Sequence, residues 1–426
     1  METTAQLEFN RLLQAMVDSY GEVSDLLFVP GKLPQVEVHG SLECPSVGEP
    51  VLTGARVEAF ACTILASNPK LLEDLRVTGA CDCSYALADS CRFRVNIYKQ
   101  NGHHAMVMRR LAATVPSLAA LGMDPVFKKL IEEKNGLVFV TGGTGNGKTT
   151  TLAALLNEIN LTSKVHVVTL EDPVEFLHPQ LKSTFSQREM GRDFFSFPDG
   201  LRSALRQAPK VIFVGEIRDR ETMEIALTAG ETGHLVFSTL HTISADQTIH
   251  RILGLFDKDE EQLVRERLAG TLRYIVGQRL VPRKSGGRHL VTELMGTSLR
   301  IREAIELGEN ENRRLHDIIE AGSPGGWHSF EQSLLKAYEE GIITEDTAMQ
   351  YSINKPTMRQ RLDVAHGHLH SQVQRASKPG MVAPTMMVVE AAPAPPPPVL
   401  PVIKPEPVIK PEPHPSLLKG ILNGFM

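Results

Sequence analysis

The run Gly142-Gly143-Thr144-Gly145-Asn146-Gly147-Lys148-Thr149 fits G-x-x-x-x-G-K-[ST], a spacing that can hold a triphosphate. Its glycines let backbone amides turn inward around the β- and γ-phosphates. Lys148 brings a mobile positive charge, and the Thr149 hydroxyl can ligate Mg²⁺. Thr150 completes the nucleotide-binding set. The apolar run "GLVFVTG" precedes the motif and a leucine-spaced helix follows it, so the positive end of a helix dipole faces the phosphates.

Further candidates for chemistry follow later apolar runs. "VVTLEDPVEF" presents Glu171, Asp172 and Glu175; "VIFVGEIRD" presents Glu216, Arg218 and Asp219. A carboxylate at a strand end beside a P-loop can hold Mg²⁺ through water or polarise an attacking water. His234 and His241 bracket the run in "GHLVFSTLHT" and read as a phosphate sensor. An acidic cluster is usually a solvated face and a lone histidine usually structural, so the positions of these groups after apolar runs carry the functional reading.

Strands must place them. "GLVFVTG", "VHVVTLED", "KVIFVGEIRD" and "HLVFSTLH" lack strict alternation, as strands covered on both faces do. Helix-length segments between them imply a parallel sheet, whose ligand crevice lies beyond the carboxyl ends of the strands. All four polar clusters should converge there. Beyond residue 243 the text reads as helical: "QLVRERLAGTLRYIVGQRL" puts Leu268, Leu272, Ile275 and Val276 on one helix face, and helices continue to about 362, broken by "AGSPGGW".

Ahead of this α/β unit, Phe9, Leu12, Leu13, Met16 and Tyr20 keep helical rhythm over 5 to 20. Strand-like pieces ("DLLFV", "PQVEVHG", "FRVNIYKQ") and a helix near 55 to 67 follow. The expected organisation is an α+β domain over 1–110, a linker over 111–125, an ATPase domain with C-terminal helices over 126–365, and a tail over 366–426. Thirteen of the 27 prolines fall between 379 and 415, and "VIKPEP" occurs twice in tandem, so the tail should be disordered and polyproline-like. Its final "SLLKGILNGFM" reads as a docking peptide or, more simply, a frayed end.

The charge balance, 45 Lys plus Arg against 50 Asp plus Glu, speaks against nucleic acid as a partner. Neither a signal peptide nor a membrane-spanning run is evident. The five cysteines lie in the first quarter without Cys-x-x-Cys spacing, which points to buried thiols in a reducing compartment.

The Walker A run, "EDPVEF", "VGEIRD" and "ETGHLVFSTLHT" stand in the order and spacing of the secretion-superfamily ATPases. More narrowly, the chain resembles the type IV pilus retraction ATPases of PilT/PilU type. "CRFRVNIYKQ", "FSQREMGRDFFSFPDGLRSALRQAP" and "SFEQSLLKAYEEGIITEDTA" extend the likeness over roughly residues 5 to 355. The resemblance implies a homohexameric ring of PAS-like and RecA-like domains that cleaves ATP with Mg²⁺ at the cytoplasmic face of the inner membrane. It further implies rotation of a platform protein, removal of pilin subunits from the pilus base, and cooperation with a paralogous retraction ATPase. By position, Lys148 and Thr149 hold phosphate and Mg²⁺, Glu171 is the general base, Glu216 is the Walker B carboxylate, and His234 and His241 register the γ-phosphate. Arg92, Arg94 and Arg109 would reach phosphate across a subunit boundary, and Arg218 belongs with the catalytic set. Gly143 and Asn146 stand where the family usually has Pro and Ser, and "RIREAIEL" only loosely echoes its AIRNLIRE segment. Assembly and secretion ATPases of the superfamily generally carry a further N-terminal domain and a tetracysteine insert, for which this chain has no room.

Overall fold

In the computed structural model, residues 3–66, 68–87, 91–111 and 114–376 are described, with side chains as far as 366. The expectations for a disordered tail and for the terminal apolar segment fall almost wholly outside these residues.

Helix α1 (Thr4–Asp18) starts where the Thr3 hydroxyl accepts from the Gln6 amide and buries Phe9, Leu12, Leu13 and Met16. It packs with α2 (Gly54–Leu65) and α3 (Pro69–Val77) against an antiparallel sheet. That sheet consists of β1 (Val23–Phe28), β2 (Gln35–Val38), β3 (Ser41–Glu43), β4 (Ala80–Leu87), β5 (Cys91–Gln100) and β6 (His103–Arg110), in the order β3-β2-β1-β6-β5-β4. Phe9 stacks on Phe60 at 4.8 Å and meets Phe28 and Tyr85 at an angle. Full burial of each such ring is worth about 2 kcal/mol. Cys81 and Cys83 share the buried face of β4, and burial pushes their thiols up to about 11 and about 12, so they are packing groups.

A 3₁₀ turn (Pro125–Lys128) and α4 (Lys129–Glu132) lead into the second sheet. Its strands are β7 (Gly136–Thr141), β8 (His166–Glu171), β9 (Thr184–Glu189), β10 (Val211–Val214), β11 (Leu235–Leu240), β12 (Leu272–Pro282) and β13 (Arg288–Gly296), ordered β13-β12-β7-β11-β10-β8-β9. All pair in parallel except β13, which runs antiparallel to β12. Every residue of β7, β10 and β11 is buried, as strands covered on both faces require. The covering helices are α5 (Lys148–Thr162), α6 (Phe197–Ala204), α7 (Arg220–Glu231), α8 (Ala245–Leu253) and α9 (Glu261–Thr271).

Here one expectation fails. The stripe of Leu268, Leu272, Ile275 and Val276 is not one helix face: α9 ends at Thr271, and Leu272 opens β12. Tyr274, Ile275 and Val276 pair with Val138, Phe139 and Val140 of β7, so tertiary pairing decides the conformation of a run whose local pattern is ambiguous. Strand β13 lies in the same stretch read as helical. The remainder is helical as expected: α10 (Leu299–Leu307), α11 (Leu315–Ala321), α12 (Phe330–Glu339), α13 (Glu345–Tyr351) and α14 (Lys355–Ala376), the last running past residue 365. Phe330, Leu334, Met358 and Leu362 gather the final helices around Val281 and Val291 of the sheet. Among the described residues, no helix is long and apolar enough to cross a membrane.

Candidate active site

Strand register explains why residues so distant in sequence meet. Thr141 pairs with Leu240, Ser238 with Val214, and Val214 with Leu170, so the carboxyl ends of β7, β11, β10 and β8 lie along one edge. The next residues along each strand are the P-loop, His241, Gly215-Glu216 and Glu171. They line one cleft of about 880 Å³ together with Thr144, Gly145, Gly147, Lys148, Thr149, Thr150, Asp172 and Arg218. The convergence expected for the four runs is therefore present.

The loop is held open from behind. Gly142 has φ 147°, and a Cβ there would come within 2.6 Å of the Gln278 carbonyl oxygen on β12, so only glycine fits. Asn146 turns away from the cleft and accepts from the Leu280 amide at 3.1 Å. Gly142, Gly143 and Asn146 thus build the loop without lining the cleft. The Gly142 and Gly143 carbonyls accept from Lys148 Nζ at 2.9 and 3.2 Å. Burial lowers the Lys148 pKa, while the Glu216 and Glu175 carboxylates oppose that shift.

The carboxylates occupy different environments. Glu171 is buried, and burial pushes its carboxyl up to about 7 against hydrogen bonds from Thr169 Oγ1 (2.6 Å) and Gln187 Nε2 (3.2 Å). Glu216 is half-buried. One of its oxygens takes Arg218 Nη2 at 2.7 Å, and the other lies 3.6 Å from His241 Nε2. Burial and then Lys148 lower the His241 pKa, with Glu216 acting the other way. A carboxyl raised toward neutrality by burial, on the cleft that also holds Lys148, suits proton abstraction from water. The donor set of the Thr149 hydroxyl and the Glu216 carboxylate, both hard oxygens on one cleft, fits Mg²⁺.

Two expected residues are elsewhere. His234 precedes β11 and so sits at the end of that strand opposite His241, about 20 Å away at the usual rise of a six-residue strand. Its Nδ1 meets the Ala229 carbonyl at 3.1 Å, and its own carbonyl accepts from the Gly136 amide. Bracketing a strand puts two side chains at its two ends, so within the protomer His234 does not share the cleft with His241. Arg92 does not line the cleft either. Its Nη1 donates to the Val174 carbonyl at 3.1 Å, and it lies 3.6 Å from Glu189. Arg94 and Arg109 do line the cleft, on their own chain, with Glu175 at 3.9 Å and Asp25 at 2.9 Å as neighbours.

Sequence reading missed Arg110 and Arg288, which also line the cleft. The Arg109-Arg110 pair at the end of β6 was a visible signal. Arg288 opens β13, a strand hidden in text that reads as helical.

A profile of the type II/IV secretion system protein family matches residues 84–321, more than half of the chain. The chain belongs to the type II/IV secretion system protein family. Within it, the chain is 38% identical over 327 residues to the type IV pilus retraction ATPase PilT of Pseudomonas aeruginosa, covering 77% of this chain and 93% of that protein. It is 37% identical to a twitching motility protein of Neisseria gonorrhoeae, with 76% of this chain and 86% of the relative covered. Identity to the P. aeruginosa type IV pilus ATPase PilU is 35%, over 83% of this chain and 91% of PilU. Among solved structures, the pilus retraction motor PilT with bound ADP superposes with TM-score 0.74 at 35% identity, covering 84% of this chain and all of that one. The Legionella pneumophila ATPase DotB superposes at 0.72 with 28% identity, over 82% and 96% of the two chains. The chain is thus a PilT-like secretion-family ATPase.

Proposed function

We propose that this protein is an ATP-hydrolysing motor that retracts type IV pili and so powers twitching motility. The observation that carries the reading is the meeting of Lys148, Glu171, Glu216 and His241 on one cleft, with Arg94, Arg109 and Arg110 of the first sheet facing them. Lys148 and the amides of the Thr144–Thr150 turn hold the β- and γ-phosphates at the start of α5. Glu171 accepts a proton from the attacking water. Thr149 and Glu216 would hold Mg²⁺, which neutralises charge on the phosphate oxygens when bound. Arginines opposite the P-loop stabilise charge developing on the γ-phosphate. Since these arginines belong to the first sheet, cleavage and release pull on that sheet and turn chemistry into movement. His241, beside Glu216, registers whether the γ-phosphate is present.

In this reading the first unit is a PAS-like domain and the second a RecA-like domain. Six copies form a ring at the cytoplasmic face of the inner membrane, where closure of successive clefts turns the platform protein and withdraws pilin. Lys148→Ala removes the main charge partner of the phosphates and should lower ATP turnover by about 10²-fold or more. Turnover near that of the unaltered protein refutes the site.

A second reading, an accessory partner to another retraction ATPase, is favoured by the sequence likeness to PilU, whose alignment spans 83% of this chain against 77% for that with P. aeruginosa PilT. Pilus length in a deletion strain separates the two. Hyperpiliation with loss of twitching supports the primary motor, whereas normal pili with weakened twitching support the accessory role.

A further inference from the structure

Strand β9 grips the loop that follows β8. Gln187 Nε2 donates to Glu171 Oε1 and to the Phe176 carbonyl (2.8 Å), and its Oε1 accepts from the His178 amide (2.8 Å). Glu189, two residues on, projects from the same side of the strand. Its Oε2 accepts from the Val174 amide at 3.2 Å, and its Oε1 accepts from Ser84 Oγ at 2.7 Å. Ser84 belongs to β4 of the first sheet.

Arg92, on β5 of that sheet, closes the circuit. Its Nη1 donates to the Val174 carbonyl, and its Nη2 donates to Ser84 Oγ at 3.3 Å and lies 3.6 Å from Glu189 Oε2. The Val174 residue, three along from Glu171, is thus held at its amide by Glu189 and at its carbonyl by Arg92. The two side chains are 8% and 18% exposed, so water cannot easily replace either partner. Removing one charge deprives the other of its nearest counter-charge in a largely buried place, and loss of Glu189 leaves Arg92 with Glu171 as its remaining acidic neighbour. Arg94, two residues further along β5, reaches the cleft instead. Neighbouring arginines on one strand thus have different tasks.

We infer that Arg92 and Glu189 form a positioning pair, which clamps the Val174 peptide and lets the orientation of the first sheet set the aim of the Glu171 carboxylate. The inference rests on the reading of Glu171 as the base. A displacement near 1 Å at a reacting group can cost about a hundredfold in rate, so a partial loss of aim is enough to be measured.

The test uses full-length protein carrying Arg92→Gln, Glu189→Gln and both together, with steady-state ATPase kinetics and binding of a fluorescent ATP analogue. The expected result for each single variant is a fall in kcat of about tenfold, with KM and analogue affinity within about twofold. The double variant should lose no more than the worse single one, because both remove the same clamp. Unchanged kcat, additive losses, or a weakening of nucleotide binding in step with kcat would each overturn the pair. Ser84→Ala leaves both charges in place and serves if a charge variant does not fold; a drop in kcat of about threefold at constant KM supports the clamp, and no drop overturns it. Glu171→Gln is measured in parallel. If it retains turnover, the base assignment falls and takes the inference with it. If it is inactive while the clamp variants match the unaltered protein, only the clamp falls.

Discussion

His241 Nε2 lies 3.6 Å from one oxygen of Glu216, while the other oxygen takes Arg218 at 2.7 Å. Glu216 thus sits between a titratable ring and a fixed cation at the mouth of the P-loop. Glu216→Gln keeps the shape but removes the charge that both neighbours meet. ATP should still bind, within about threefold of normal affinity, while turnover falls about 10²-fold or more. Equilibrium binding alongside steady-state hydrolysis checks this; lost binding with normal turnover per bound ATP contradicts the assignment.

The pH dependence of hydrolysis follows from Glu171, whose carboxyl is pushed up to about 7 by burial. A base works only when ionised, so kcat should climb as pH rises through about 7. Glu171→Gln should remove that acid limb and lower kcat by about 10² to 10⁴-fold. The same shift bears on stability with the opposite sense. The folded state holds its proton where the unfolded carboxyl has lost it, so Glu171 favours folding less as pH rises from the ordinary carboxylate range to about 7. Thermal melting of Glu171→Gln against pH should be flatter over that window than for the unaltered protein.

Gly142→Ala tests the back wall of the P-loop. The added methyl would approach the Gln278 carbonyl to 2.6 Å at a φ of 147°, so the loop must shift or β12 must yield. A cost of about 1–3 kcal/mol is expected, seen as a lower melting temperature together with weaker nucleotide binding. A variant with native stability and affinity would show that the loop tolerates the contact.

Deleting residues 377–426 should leave ATP turnover within about twofold, since every described residue lining the cleft lies at or before Arg288. Steady-state hydrolysis by the shortened chain decides it, and a collapse would tie the tail to the motor core.

The parts of the site that follow buried strands were readable because they obey a general rule: polar residues just beyond apolar parallel strands share an edge. Lys148, Glu171, Glu216 and His241 all do so. His234 broke the reading because flanking a strand on the amino side places a residue at the far edge. Strand β9 went unseen because Ser186, Gln187, Arg188 and Glu189 make it polar, and its value lies in the hydrogen bonds those side chains send to the Glu171 loop. Arg92 and Arg94 look alike in "CRFRVN", and only the position of β5 over that loop separates a clamp from a cleft arginine. Strand β12 was hidden because Leu268, Leu272 and Ile275 happen to keep helical spacing across a helix–strand junction.

The pairing of β12 with β7 bears on how the protein can be cut. A fragment stopping after the histidine-bearing loop near residue 243 would retain each motif by name, yet would strip one flank of β7 and leave Asn146 without the Leu280 amide. Such a piece would expose an unpaired, oily seam prone to clumping. Any graft of this motor head onto another chain must therefore carry Leu272–Gly296 along with it.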